Sequence, residues 1–121
     1  MLGWDFVVYP GAVQGDNVEP SRARLASWST GPGGTAWIEK LCTTGEAVDL
    51  GGNGYPKRYV MTAAVLRAAL REGVPRHDSP PVVGDDYFLP GGWTGRLEVD
   101  GKSLDVLPDH ALLTVDAWDQ S

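Results

Sequence analysis

The glycine-rich run Gly51-Gly52-Asn53-Gly54-Tyr55-Pro56 ends in two cations, Lys57 and Arg58. If it opens a helix, it could hold an anion: the first N–H groups of a helix lack internal partners, the dipole is positive there, and both cations add full charges. Gly52, Asn53, Gly54, Lys57 and Arg58 would then form a phosphate or nucleotide site, with Tyr55 or Trp37 as an aromatic lid. The run lacks the Gly-Lys-Ser/Thr ending of a P-loop and the spacing of a dinucleotide fingerprint. It suits better a tight strand-to-helix connection in which glycine supplies left-handed angles and Asn53 caps the helix region.

Other chemistries have thinner support. His77, Asp78, Asp85, Asp86, Asp109 and His110 carry metal-ligand atoms, but their spacing matches no ligand pattern, and surface solvation accounts for them. Cys42 with His77 or His110 is the only thiol pair available, and no serine sits in a Gly-x-Ser-x-Gly elbow. A lone Cys in TAWIEKLCT packs well as a small buried hydrophobe. Glu39, Glu46 and Asp49 leave general acid work open, because carboxylate pairs form in space without a sequence signature. Nothing calls for a cofactor or a metal.

These residues need elements to position them. The spacing of Tyr59, Ala63, Leu66 and Leu70 predicts one main amphipathic helix over 56–72, opened by Pro56 and stopped by Gly73 and Pro75. Its face of Lys57, Arg58, Arg67 and Arg71, with Arg76 beyond, reads as solvated. Trp4 to Tyr9 reads as a strand closed by Pro10-Gly11, and Pro20 as the start of a short helix over 21–29. Gly31-Pro32-Gly33-Gly34 marks a turn. The segment 35–43 fits a helix slightly better than a strand, and 46–50 fits a short strand. The stretch 76–84, with Pro80-Pro81, reads as a linker or loop. Asp100-Gly101 suits a type I′ hairpin between 96–100 and 102–107, pairing Leu97 with Leu104 and Arg96 with Asp105. A final strand over 111–118 would put Leu113, Val115 and Ala117 on one side. The sum is an α+β domain: a mixed or antiparallel sheet, one main helix packed on it, and a C-terminal β-hairpin plus strand.

The chain has 121 residues, 42% of them hydrophobic and 21% charged, which suits a single globular domain over residues 1–121 with one core. One cysteine excludes an intrachain disulfide. Together with the absence of a basic, apolar leader-like start, that leads to the expectation of a cytoplasmic protein with no membrane contact. The net charge of −6 argues against general nucleic-acid binding. Charge is uneven: residues 77–121 hold nine acidic and two basic side chains, while 56–76 hold five basic and one acidic.

In size, charge and lack of a catalytic motif the chain is similar to bacterial or phage proteins that act by binding, such as toxin-neutralising immunity proteins and anti-defence inhibitors. That similarity implies a protein partner, basic in character. Asp85, Asp86, Asp100, Asp105, Asp109 and Asp116 would face it, with Trp93 and Trp118 as aromatic anchors. The alternatives are the small-ligand module at Gly51–Gly54 and a small hydrolase-type enzyme without a recognisable motif.

Overall fold

The strand expected at the start of the chain, β1 (Trp4–Pro10), forms because its aromatic and β-branched side chains suit a pleated surface, and it lies near the middle of a sheet. The structure is a computed structural model that describes residues 3–12, 24–76, 82–86, 88–89 and 92–120. Along the chain follow β2 (Ala26–Thr30), α1 (Ala36–Thr44), β3 (Ala47–Gly51), β4 (Lys57–Thr62) and α2 (Ala63–Ala69). Then come β5 (Val82–Val83), β6 (Phe88–Leu89), β7 (Glu98–Val99), α3 (Gly101–Asp105) and β8 (Leu112–Asp119). Six strands form one antiparallel sheet in the order β3-β4-β8-β1-β2-β7, while β5 and β6 form a separate two-stranded sheet among the described residues. The architecture is α+β. No helix among the described residues is long and apolar enough to cross a membrane.

One face of the sheet carries the core. Phe6 and Val8 of β1 oppose Ala117 and Val115 of β8, and Ile38, Ala63, Leu66 and Leu104 close over them from the three helices. Phe6 stacks on Trp28 at 5.2 Å between ring centroids, and Trp37 meets Phe6 edge-on at 5.8 Å. The indole N–H groups of Trp28, Trp37 and Trp93 are buried without an acceptor among the described residues, a desolvation cost set against that packing. The turn before α1 is glycine at 34 of necessity, since a Cβ there would lie 1.7 Å from Thr30 Oγ1.

The helix expected over 56–72 is instead two elements. Lys57–Thr62 is strand β4, and only Ala63–Ala69 is helical. Tyr59, Val60, Met61 and Thr62 favour a strand, and the Thr62 side chain then accepts from Val65 N at 3.3 Å, capping a helix that starts there. Tyr59, Ala63 and Leu66 are all buried in the core as their spacing implies, because β4 runs across the face and hands over to α2 on the same side.

Two further expectations are overturned. The helix over 21–29 gives way to β2, where Ala26, Trp28 and Thr30 are buried and Ser27 and Ser29 half-buried, a period of two that the serines concealed; residues 21–23 lie outside the described residues. The Asp100-Gly101 hairpin does not form. Asp100 caps α3, its Oδ1 accepting from Ser103 N at 3.2 Å and its Oδ2 from Ser103 Oγ at 2.8 Å. Neither residue takes the positive φ that a type I′ turn needs. The segment 35–43 is helical, and β3 and β8 fall close to where the sequence places them.

The opposite face of the central strands is also shut from water. Arg58 and Asp116, direct partners across β4 and β8, are 2% and 1% exposed. Arg58 Nε donates to Asp116 Oδ1 at 2.7 Å and Nη2 to Oδ2 at 3.0 Å, a two-pronged fork. Arg67, expected to be solvated, donates instead to the Leu104 carbonyl at 3.0 Å and the Leu107 carbonyl at 3.1 Å, and pairs with Asp109.

Removing one half of the buried pair strands the other. Asp116→Ala should therefore cost about 3–5 kcal/mol, and Arg58→Met with Asp116→Leu should recover most of it. Urea melts of the two variants check this, and equal losses in both would mean the fork itself is not what matters. Leu66→Asp should abolish folding by placing a carboxylate in the core. Arg67→Ala should cost about 1.5–3 kcal/mol, the scale of hydrogen bonds from a charged donor. An Arg67→Ala melt that matches the unmodified chain would show its contacts to be idle.

Candidate functional site

The glycine run does not lead into a helix. It joins β3 to β4, so the helix-terminus field behind the expected anion site is absent. Gly52 has φ +109°, and a Cβ there would lie 2.2 Å from the Pro56 carbonyl oxygen, so the glycine serves the turn itself. Asn53 Oδ1 accepts from Tyr55 N at 3.1 Å, and the Gly54 carbonyl accepts from Asp119 N at 2.7 Å. Gly52 and Asn53 are exposed, Gly54 is buried, and Arg58 is spent on Asp116. Gly52, Asn53 and Gly54 thus lie in the connecting loop and Lys57 and Arg58 in β4, without forming a converging cradle.

Lys57 points to the core side, where β3, β4 and α1 meet. Its Nζ lies 3.3 Å from Asp49 Oδ2 and 5.6 Å from the Tyr59 ring centroid. Burial pulls the Lys57 ammonium toward losing its proton, but Tyr59 and Asp49 outweigh this and hold it above the ordinary lysine range. Burial lifts the Tyr59 phenol, against the opposing pull of the nearby Lys57 ammonium. The Cys42 thiol is likewise pushed up by burial and by Asp49, with Lys57 working against the rise and Glu39 adding to it. The cluster keeps both groups protonated, the reverse of what an activated nucleophile requires.

The acidic set is scattered in role. Asp116 is in the buried fork, Asp109 pairs with Arg67, and Asp100 caps α3 with its carboxyl held below the ordinary range by Ser103. Asp105 is exposed. Trp93 is only half-buried but packs inward: a Cβ on Gly31 would lie 2.5 Å from its Nε1, and its carbonyl accepts from Gly31 N at 3.0 Å. Trp118 stays at the surface. Among the metal candidates His77 and Asp78 lie outside the described residues, and His110 is exposed; no group of three or more potential ligands converges among the described residues.

Asp85 and Asp86 stand in a different setting. Both are exposed and lie between β5 and β6, whose register places Val83 opposite Phe88. Those two side chains are 72% and 63% exposed. The pair was hidden in the sequence by Pro80-Pro81, which suggested a linker; the signal for it was Val82-Val83 and Phe88-Leu89 on either side of the four residues Gly84-Asp85-Asp86-Tyr87, a hairpin pattern. Sequence reasoning also missed a cleft of about 250 Å³ over β1 and β2, lined by Asp5, Arg24, Ser27, Ser29, Arg96 and Glu98. No short motif marks it, because its residues come from segments far apart in the chain.

Comparison with protein-family models, curated proteins and solved structures finds no match for this chain. The functional reading rests on geometry.

A thiol that resists ionisation should alkylate slowly at neutral pH. Iodoacetamide rates at Cys42 followed by mass spectrometry should give a midpoint above that of a free thiol, and Asp49→Asn should lower it by removing a carboxylate that disfavours the thiolate. A midpoint at or below the free-thiol value would put Cys42 back among the nucleophile candidates.

Proposed function

We propose that this protein acts by binding another protein, of basic character, through the β5–β6 hairpin, in the manner of an inhibitor or immunity protein. The observation that carries this reading is the Val83–Phe88 pair: two large apolar side chains, partners across the strands and turned to water, with Asp85 and Asp86 beside them. Isolated two-stranded hairpins gain little stability from their own pairing, and exposing their apolar side chains forgoes what burial would add. A partner that covers Val83 and Phe88 supplies that burial. The two aspartates, within a C-terminal third rich in acid, favour a basic surface and repel acidic ones.

The cleanest test separates anchor from steering. With a partner captured from the source cell, purified and titrated back by surface plasmon resonance, Phe88→Ala should speed dissociation about 30-fold or more, the scale of a central aromatic contact. Asp85→Asn with Asp86→Asn should instead slow association and flatten its salt dependence. A partner that binds the Phe88→Ala variant as tightly as the unmodified chain would rule this surface out.

A further inference from the structure

The cleft over β1 and β2 has no role in hairpin docking, and its chemistry is of another kind. Asp5 of β1 and Ser29 of β2 are register partners, and Ser29 Oγ donates to Asp5 Oδ1 at 2.6 Å. Ser27 lies two residues back on the same face of β2, and Arg24 precedes that strand. Arg96 and Glu98 come from the far wall, where Glu98 pairs with Ser27 across β7 and β2. Arg24 and Arg96 are both exposed, and among the described residues neither makes an ion pair or side-chain hydrogen bond.

Two guanidinium groups in one cleft, uncommitted although two carboxylates line it, are a source of forked donors suited to a phosphate. Asp5 and Glu98 would repel a bare anion. They would accept hydrogen bonds from hydroxyl groups, and the Ser27 hydroxyl can both donate and accept. At about 250 Å³ the cleft is below the range of roughly 300–1,000 Å³ typical of drug-sized ligands, so it suits a monosaccharide-sized molecule. We propose that this cleft binds a small hydroxylated phosphate ester of the sugar-phosphate class, with Arg24 and Arg96 on the phosphate and Asp5 and Glu98 on the hydroxyls.

The probes are ribose 5-phosphate, inorganic phosphate and ribose, titrated into the full chain labelled with ¹⁵N and followed by amide NMR shifts. Ribose 5-phosphate should give saturable shifts at Asp5, Ser27, Ser29 and Glu98, with affinity about tenfold or more above inorganic phosphate, and ribose alone should give none. Arg24→Ala and Arg96→Ala, both at exposed positions, should each weaken ribose 5-phosphate by about tenfold. Glu98→Gln should narrow the gap between ribose 5-phosphate and phosphate, since repulsion is relieved for both anions while the sugar hydroxyls lose the stronger, charged acceptor. The proposal is overturned by the absence of saturable shifts with ribose 5-phosphate, by equal affinity for inorganic phosphate, or by arginine variants that bind unchanged. Because none of these residues belongs to the hairpin, failure here leaves the protein-binding reading untouched.

Discussion

The fork between Arg58 and Asp116 is the constraint around which the sheet is organised. The pair joins β4 to β8 at a point where both side chains are shut from water, and a charge in that position tolerates no vacancy on the other side. It also fixes pairing. With β8 held in place, a slip of one residue would set Arg58 of β4 opposite Val115 or Ala117 on the apolar face and turn Tyr59 to the polar one, so the fork and the core demand the same register. Because β8 also pairs with β1, that demand passes to the next strand, where Val7 faces Asp116.

The fork explains why charge was a poor guide to surface in this chain. Arg58 and Asp116 read naturally as members of a basic helix face and an acidic exterior, yet they pair with each other in the interior. Arg67 behaves similarly: its guanidinium holds the Leu104 and Leu107 carbonyls, fastening α2 to α3 and to the residues just after it. Contacts between residues some forty or sixty positions apart leave no local mark.

What was legible in the sequence was burial more than conformation. Leu113, Val115 and Ala117 alternate as a strand should, and they are fully buried in β8. Tyr59, Ala63 and Leu66 were correctly grouped by spacing, yet a helical stripe and a strand running into a helix can bury the same residues; Thr62, able to end one and cap the other, decides between them. Asp100-Gly101 was ambiguous in the same way, since a hairpin turn and a helix cap draw on the same residue types. Of the expected site residues, Asp85 and Asp86 are exposed beside an apolar pair, whereas the glycine run lost its premise when β4 replaced the helix.

The two ends of the sheet have a consequence of their own. At one end β7 is only two residues long, and at the other the pairing of β3 with β4 shifts register between Asp49 and Gly51. Short and irregular margins give an incoming chain no continuous row of N–H and C=O groups to copy. Main-chain addition, the route by which many sheets capture extended peptides, is therefore disfavoured at these margins, and side chains, which a single substitution can retune without disturbing the backbone beneath, are the better carriers of any selectivity.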